Sequence, residues 1–473
     1  MMNFKSFWII LLPFLLLVNC SENKIIAFQN VNLVPMTEEK IVENQTVLIR
    51  GNKIIQIGPS NNTEAPRNSK IINGEGTFLM PGLTDMHMHT RDDWLSPVWP
   101  VSPLNLYLAN GVTTIRCFGP LGSSPNYILH WRDEINNGNL IGPTIYTCGS
   151  VLYGPVKDPE GMVQEQKNRD FDFIKIYSFV SQDEFHKAVH KAKSVGIYTA
   201  GHIPFSVGLD GVLSEGMDEI AHIEELDFEF LDFDGTKKVN RIELFRYIID
   251  TAIQQHKKLI GLDIEGLEER YGKTISATID KLRTVNIPIC TTLVVGEGIV
   301  KKLHETEAFL KRSENKYLPE GYMDTFRQGK EKHQVIFKGF EDFAIFKYTL
   351  ERLLLIKLKK AGITLLLSTD AGTGGMGIVP GFSIHDELQI LTENGFTSYE
   401  AIATGTVNAA RTIENMTGVG DFGTVEVGNR ADLILVNENP LEDVRNIRDL
   451  RGVMVGGRWY DKTELQKMIN ITD

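Results

Sequence analysis

Short apolar runs alternate with longer amphipathic stretches through the middle of the chain. The runs have the length of strands, and the stretches between them have the spacing of helices that cover one side of a sheet. This alternation is typical of parallel strands joined by helices. The pattern therefore predicts an α/β protein with parallel strands at about 82–89, 112–117, 144–148, 173–177, 197–202, 218–222, 287–293 and 363–369.

The two ends of the chain have a different pattern, in which short strands are separated by turn residues. Gly51-Asn52 lies between two apolar runs and predicts a tight hairpin. Strand-like runs cover 25–34, 45–50 and 53–57 near the start, and 431–436 and 452–459 near the end. We expect the two ends to pair with each other.

The first 20 residues have the pattern of an export signal. The apolar run 7–18 follows Lys5 and is too short to span a membrane. It leads into Leu17-Val18-Asn19-Cys20, which resembles a bacterial lipoprotein box in which Cys20 is lipidated. Asn19 departs from the small residue usual there, so a plain cleaved signal is the alternative. We expect export to the bacterial cell envelope, with a lipid anchor in the periplasm or outer membrane.

Composition and net charge mainly restrict the kinds of molecule that the protein is expected to bind. A chain of 473 residues with 42% hydrophobic content can form one large barrel and a small accessory domain. The net charge of −12 and the lack of a long basic run give no basis for a nucleic-acid partner. The expected partner is a small-molecule substrate, and a homo-oligomer is compatible with the sequence. Cys117, Cys148 and Cys290 form no CxxC pair and are expected to be buried free thiols.

Polar residues of the kind that bind metals follow several predicted strands. In Asp85-Met86-His87-Met88-His89, the two histidines alternate along one strand, so they face the same side and can hold one metal ion. A polar patch would look the same. Four more residues also stand at the C-terminal end of an apolar run: Lys175, His202, His222 and Asp370. In a barrel these strand ends share one face, where catalytic groups lie.

This ordered set resembles the metal ligands of the amidohydrolase superfamily, in which they are a His-x-His on strand 1, Lys on strand 4, His on strands 5 and 6, and Asp on strand 8. Segments 111–116, 380–388 and 428–434 resemble the branch with imidazolonepropionase-like enzymes and metal-dependent prolidases. The resemblance covers almost the whole mature chain. It implies a distorted (β/α)8 TIM barrel (81–412) between the halves of a small β-sandwich (21–80 and 413–473), after a signal at 1–20.

The resemblance also implies a two-metal centre. A protonated Lys175 would repel a cation, whereas its carbamate, formed with CO2, is an anionic ligand that can bridge two metals. An unmodified Lys175 that anchors a substrate carboxylate beside one metal is the alternative. On the prolidase-like pattern, one metal is bound by His87, His89 and Asp370, the other by His202 and His222, and both by carboxylated Lys175. Zinc suits these ligands, and manganese, cobalt or iron also fit.

The implied reaction is hydrolysis of an amide-type C–N bond. A metal-bridged hydroxide would attack the carbonyl, and Asp370 would shuttle the proton from the water to the leaving amine. Candidate substrate contacts are Arg116 at the end of strand 2, Tyr177 on the strand face of Lys175, and His385 after strand 8. A core tyrosine and a buried, ion-paired arginine are the alternatives. Gly372-Thr373-Gly374-Gly375 is a loop that could close over a ligand.

Dipeptides, including Xaa-Pro types, are the leading substrates. Opening of a cyclic amide such as an imidazolone is the alternative within the superfamily, and a non-catalytic exported metal-binding lipoprotein is the alternative outside it. Two long connections, 223–286 and 294–362, are expected to act as lid and substrate-selecting elements, because long βα-loops lie over the catalytic face. Extra helical packing would explain them equally well.

Overall fold

The computed structural model describes residues 24–237, 240–372 and 377–471. The predicted signal, Cys20 and the loop residues Thr373, Gly374 and Gly375 lie outside the described residues. Within the described part of the chain, no helix is both long and apolar enough to cross a membrane. The strands are β1 (Ile26–Leu33), β2 (Val42–Arg50), β3 (Lys53–Pro59), β4 (Lys70–Asn73), β5 (Phe78–Pro81), β6 (Leu83–Met88), β7 (Val112–Cys117), β8 (Thr144–Thr147), β9 (Phe173–Ile176), β10 (Tyr198–Gly201), β11 (Glu219–Ile220), β12 (Ile289–Cys290), β13 (Leu365–Leu366), β14 (Leu433–Val436), β15 (Leu450–Val455) and β16 (Arg458–Asp461).

Helices separate most of the middle strands, so the predicted mixed α/β class is confirmed. 3-10 helices occur at Ile223–Phe230, Ser313–Tyr317 and Val444–Arg448. The α-helices are α1 (Pro103–Ala109), α2 (Asn126–Asn137), α3 (Pro159–Asn168), α4 (Gln182–Val195), α5 (Gly208–Glu215), α6 (Arg241–His256), α7 (Ile264–Val285), α8 (Leu293–His304), α9 (Thr306–Leu310), α10 (Glu320–Arg327), α11 (Lys332–Ile336), α12 (Glu341–Lys360), α13 (Ser383–Glu393), α14 (Ser398–Thr404), α15 (Val407–Thr417) and α16 (Lys462–Met468).

The eight middle strands, β6 to β13, form at the predicted places and pair in parallel. They make two sheets, ordered β6-β7-β8 and β9-β10-β11-β12-β13. A parallel bridge between Cys148 and Phe173 links the sheets on one side, and a parallel bridge between Met88 and Ala371 links them on the other. Neighbours in space are thus neighbours in the chain, which is the order expected for the predicted barrel.

The space between these strands is filled by one cluster of buried side chains that includes Met86, Phe173, Cys290 and Leu366. An ion pair between Arg116 and Glu219 lies in the same interior, with both side chains fully buried. The cysteines at positions 117, 148 and 290 are buried and free, as predicted. Buried side chains therefore fill the interior below the C-terminal ends of the strands. We expect the functional site at those ends.

Both ends of the chain contribute to a single mixed sheet. Its strand order is β16-β15-β14-β5-β1-β2-β3, with β4 beside β1. The link between the two ends is the antiparallel pair β5–β14, in which Pro81 lies opposite Leu433. Gly51-Asn52 forms the predicted hairpin between β2 and β3, and Gly51 has the left-handed φ of 59° that favours glycine in such a turn. The division into sandwich and barrel stays a prediction.

The terminal sheet also corrects one prediction and contains two strands that were not predicted. The run 452–459 is not one strand: β15 and β16 are separate antiparallel strands joined at Gly456-Gly457. These glycines have φ values of 54° and 78°, where a side chain would be strained, so the chain reverses inside an apolar run. The short strands β4 and β5 were not predicted, because four residues carry too little periodicity to stand out.

The long connections are helical. The segment after β11 contains the 3-10 helix Ile223–Phe230, α6 and α7, and the segment after β12 contains α8 to α12. Lys347 of α12 reaches back to Glu224, directly after β11, with 2.9 Å between Nζ and Oε2. The two connections are therefore packed against each other beside the ends of the strands. Their role in choosing substrates stays a prediction.

Candidate metal centre

His87 and His89 lie at the end of β6, and the Nδ1 atom of each ring is hydrogen-bonded to a backbone carbonyl group. His87 Nδ1 lies 3.0 Å from the carbonyl oxygen of Ala221, and His89 Nδ1 lies 3.0 Å from that of Gly119. A carbonyl oxygen only accepts, so both rings donate from Nδ1. This fixes the tautomer that leaves the Nε2 lone pair for a metal.

His202 and His222 have the same arrangement on the neighbouring strands. His202 Nδ1 pairs with the buried carboxylate of Glu225, and His222 Nδ1 lies 3.0 Å from the hydroxyl oxygen of Thr292. The His222 ring centroid is 5.0 Å from that of His202 and 4.3 Å from that of His87. The imidazoles of β6, β10 and β11 thus meet at one end of the parallel strands.

Asp370 and Lys175 complete the group. Asp370 Oδ1 lies 2.9 Å from His89 Nε2 and 3.4 Å from His87 Nε2. His87 Nε2, Lys175 Nζ and Asp370 Oδ1 are all buried without a hydrogen-bond partner. Buried polar atoms are rarely left unpaired, and two of these three, the His87 nitrogen and the Asp370 oxygen, can each offer a lone pair to a bound cation. Ligand atoms of His87, His89 and Asp370 lie within 4.8 Å of one another, close enough to share one.

Burial sets the charge of these groups. It lowers the pKa of His222 to about 4 and those of His87 and His202 well below the usual value, so the rings are neutral at pH 7 and able to bind a metal. It also lowers the pKa of Lys175 to about 8. Burial acts to raise the pKa of Asp370, but its interaction with the adjacent His89 outweighs burial and leaves that pKa below its usual value.

The backbone of Asp370 is held in an unusual conformation. Its φ of 56° is in the left-handed region, and its N–H donates to the carbonyl oxygen of His87 at 2.8 Å. The preceding residue, Thr369, donates from Oγ1 to Asp85 Oδ2 at 2.6 Å and from its backbone N–H to Asp85 Oδ1 at 3.2 Å. Asp85 therefore holds the turn that aims the Asp370 carboxylate at the histidines.

Of the three predicted substrate residues, only Tyr177 is at this centre. Its ring centroid lies 4.3 Å from that of His202, and its other face stacks on Tyr153 at 4.3 Å. The structure corrects the placement of Arg116. Its fully buried guanidinium pairs with Glu219 in the packed interior between the parallel strands. The structure also corrects His385, which is buried with Nε2 bonded to the Asn110 carbonyl oxygen at 2.9 Å. Both side chains are committed to structural contacts.

An aromatic wall extends from the metal centre and was not predicted. It begins at Tyr177 and continues through ring contacts of 4.3 to 5.8 Å. Its members are Tyr153, Tyr177, Phe179, Phe205 and Phe228, all partly exposed. They come from loops that follow four different strands. They meet because those strands are neighbours in the fold, and no local spacing in the sequence indicates this contact.

An acidic cluster on the other side of His222 was also missed. Lys347 Nζ lies 2.9 Å from Glu224 Oε2 and 3.6 Å from Asp227 Oδ2, and it also pairs with Glu351. Burial acts to raise the pKa of Glu224, but Lys347 outweighs it and lowers that pKa. The only local signal was the Glu224-Glu225 pair just after His222. Asp85 and Glu225 were likewise missed, since each acts through a residue distant in sequence.

Comparison with known proteins agrees with this geometry. The Amidohydrolase family model matches residues 330–460. The chain is 21% identical over 442 residues to the 5-methylthioadenosine/S-adenosylhomocysteine deaminase of Caldanaerobacter subterraneus subsp. tengcongensis, covering 87% of this chain and 84% of that protein. It is 21% identical over 422 residues to the imidazolonepropionase of Alkaliphilus metalliredigens, covering 85% and 86%.

Among solved structures, the chain is similar to a Xaa-Pro dipeptidase with methionine bound in its active site. The TM-score is 0.61 at 19% sequence identity, over 93% of this chain and 100% of the other. At that identity the likeness concerns the fold. Together with the match of residues 330–460 to the Amidohydrolase family model and the sequence matches over most of the chain, it supports the expected membership of the amidohydrolase superfamily.

Proposed function

We propose that this protein hydrolyses the amide bond of dipeptides, Xaa-Pro types included, or of N-acyl amino acids, with the help of bound metal ions. The broader statement, that it is a hydrolase acting on C–N bonds, follows from its family. The proposal rests on one observation, which is the convergence of six side chains that suit a two-metal hydrolase: His87, His89, Lys175, His202, His222 and Asp370.

The fold proposed for this site is a distorted (β/α)8 barrel set into a small β-sandwich. Its support is the order of the eight parallel strands and the two bridges that link their sheets. Each proposed ligand stands at or just after the C-terminal end of one of these strands, which is where barrel enzymes carry their catalytic groups. The proposed boundaries are 21–80 and 413–473 for the sandwich and 81–412 for the barrel.

Two divalent ions, with zinc as the first candidate, suit the donor atoms. His87, His89 and Asp370 would hold one ion, His202 and His222 the other, and Lys175 both. Bound there, the ions would lower the pKa of a water and polarise the scissile carbonyl. The neutral imidazoles and the three unpaired buried atoms support this assignment.

Lys175 is proposed to carry a carbamate. Its amine lies buried with no hydrogen-bond partner, and burial lowers its pKa to about 8, so a substantial fraction is neutral near pH 7 to 8. The neutral nitrogen adds to CO2, an N–C bond forms, and one proton leaves to solvent. The product is an anion at the point where four imidazoles leave positive charge uncompensated once metals bind.

Asp370 is proposed to move the proton. Its lowered pKa keeps it ionised at neutral pH, so it can accept a proton from the attacking water. The same carboxyl group then delivers that proton to the nitrogen of the leaving amine. The contacts of Asp85 with Thr369 hold the turn, and they limit the motion of the Asp370 carboxylate between the attacking water and the leaving amine.

The substrate is proposed to carry an apolar or aromatic group on the side of His202. Tyr177 covers that histidine and Tyr153 covers Tyr177, so the aromatic wall offers flat apolar surface beside the scissile bond. Arg116 is paired with Glu219 and is not proposed to bind the substrate carboxylate. A second candidate, opening of a cyclic amide, is favoured by the similarity to imidazolonepropionase over 85% of the chain.

A substrate screen tests the proposal. The metal-loaded protein is assayed against dipeptides, N-acyl amino acids, hydantoins, imidazolones and lactones, with product release followed by chromatography. We expect cleavage of dipeptides or N-acyl amino acids, with those bearing an aromatic group preferred. Dominant ring opening would replace the proposed substrate class by the second candidate. Inactivity on the whole library would contradict both.

Asp370→Asn is the matched variant for that screen. The amide keeps the size of the side chain and can still bind metal through oxygen, but it cannot carry a proton. We expect kcat to fall by about a thousandfold or more with metal content largely kept, as measured by steady-state kinetics and elemental analysis. Near-normal turnover would assign the proton transfer to another group.

Export to the bacterial cell envelope is proposed from the sequence of residues 1–20, with lipid attached at Cys20. Cys20→Ser should move the protein from the membrane fraction to the soluble fraction of the same compartment. Immunoblots of fractionated cells would follow this shift. A variant that stays in the membrane fraction would point instead to an uncleaved anchor at 7–18.

A further inference from the structure

We propose a second metal site, separate from the catalytic centre, on the outer helices of the protein. It consists of His186 and His190 on α4 and Glu215 at the end of α5. The expected ligand is a single transition-metal ion of the borderline class, such as Zn²⁺, Cu²⁺ or Ni²⁺. None of these three residues belongs to the centre described above.

The two histidines are arranged to bind one ion together. They are four residues apart on a helix, so they lie on one face, and their ring centroids are 4.1 Å apart. Two histidines at this spacing on a helix are an established way of binding zinc. Seven of the chain's histidines lie in helices, but this is the only helical pair that the described residues bring together with a carboxylate.

Glu215 supplies the third ligand from a different helix. Both of its carboxylate oxygens lie 3.1 Å from His186 Nδ1, and Oε2 lies 3.3 Å from His190 Nε2. In a tetrahedral zinc site with bonds of 2.0 to 2.2 Å, neighbouring ligand atoms are about 3.4 Å apart. The nitrogen and oxygen atoms are thus already spaced almost as an ion would hold them.

The ligands also limit which ion binds. Two imidazoles and one carboxylate disfavour Ca²⁺ and Mg²⁺, which take oxygen ligands, and favour ions late in the first transition row. The side chains of His186 and His190 are 54% and 60% exposed, so an ion can enter from solvent and keep water as its fourth ligand. An ordinary surface ion pair between histidine and glutamate is the competing explanation, and the experiment below separates the two.

The position of the site gives binding a structural consequence. Helix α4 leads into β10 and α5 leaves it, and β10 ends directly before His202 of the catalytic centre. An ion held by both helices would tie together the two elements that flank this strand. Bound metal is therefore expected to stabilise the folded chain, since only the folded chain brings α4 and α5 together.

The test uses the full mature chain without a histidine tag and with its catalytic metals already loaded. Zn²⁺ is titrated calorimetrically into the wild type, His186→Gln, His190→Gln and the control His130→Gln, which removes a lone exposed histidine on α2. Retention on immobilised Cu²⁺ gives a second readout. Both measurements are independent of catalytic activity.

We expect the wild type and His130→Gln to bind one further Zn²⁺ and to be retained on the Cu²⁺ resin. The variants His186→Gln and His190→Gln should bind that ion at least about tenfold more weakly, because each loses the second imidazole that binds intramolecularly. Equal affinity in all four proteins would overturn the proposal. So would an extra ion that is lost only with His130.

Discussion

At the residue scale, the buried ion pair with Glu219 gives Arg116 a structural role. Its guanidinium pairs with Glu219 and donates from Nε to the Met86 carbonyl oxygen at 2.8 Å. Arg116→Met leaves the buried Glu219 carboxylate without a positively charged partner, which costs about 3 to 5 kcal/mol of unfolding free energy. Urea unfolding of the metal-loaded protein measures that loss. The double variant Arg116→Met/Glu219→Leu should recover most of it.

The control for this prediction is an exposed pair of the same type. Arg169 and Glu165 are 3.1 Å apart on the surface, so Arg169→Met should cost less than about 1 kcal/mol. If Arg116→Met left stability unchanged and raised KM only for substrates with a free carboxylate, Arg116 would contact substrate after all.

Residues of the metal centre could be predicted where the residue type and its position at a strand end are enough to indicate metal binding. His87, His89 and Lys175 are of this kind, and the structure brings them together with the other three. Asp85 and Glu225 were not predictable, because their roles exist only through contacts with Thr369 and His202. A buried carboxylate gains its function from partners that are distant in sequence, and local spacing does not encode them.

At the element scale, α13 caps the start of α8 through Glu387. The carboxylate accepts from the backbone N–H groups of Leu293 at 3.0 Å and Val294 at 2.6 Å, and burial raises its pKa to about 8. The folded chain therefore holds this proton more tightly than the unfolded chain. The contribution of Glu387 to stability is present below about pH 4.5 and is lost as pH rises to about 8.

Glu387→Gln should remove this pH dependence, because the amide does not titrate. We expect the unfolding free energy of the variant, relative to the wild type, to rise between pH 5.5 and pH 8, by on the order of a few kcal/mol. Urea unfolding across that range is the measurement, and other titrating groups cancel in the comparison. The exposed Glu393→Gln on the same helix is the control, and parallel profiles for Glu387→Gln and wild type would disprove the assignment.

Elements with a clear period were predicted, and those whose limits depend on a single turn were not. Strand β7 matches its predicted range residue for residue, because Val112 to Ile115 are all β-branched and turn residues precede them. The run at 452–459 failed, since Gly456-Gly457 reverses the chain without interrupting its apolar character. Apolar residues lie on both sides of the turn, so the pattern looks continuous, although β15 is mostly buried and β16 is only partly buried.

At the scale of the whole molecule, the metal centre joins strands from opposite sides of the ring. His87 on β6 and Asp370 after β13 would hold one ion, and His202 after β10 would hold the other. Lys175 on β9 would join the two. Removing the metals with a chelator should lower the melting temperature by about 5 °C or more, as measured by calorimetry. The loss comes from binding energy that only the folded chain receives.

The control for chelation separates the two proposed metal sites. His186→Gln/His190→Gln removes the surface site and should show nearly the full chelator effect. The variant His202→Asn/His222→Asn should melt lower than wild type in metal and show a smaller chelator effect. The reason is that only one ion would remain at the catalytic centre, held by His87, His89 and Asp370. A melting temperature that is indifferent to chelator in the wild type would contradict tight metal binding at the catalytic centre.

The pairing of β5 with β14 has a consequence for how the chain is made. Leu433 lies opposite Pro81 but emerges from the ribosome about 350 residues later, which corresponds to roughly 20 to 70 s of synthesis at 5 to 20 residues per second. During that interval one edge of β5 has no partner. The terminal sheet therefore cannot close until β14 has been made, and until then the nascent chain lacks this closure and can still be threaded through a narrow channel.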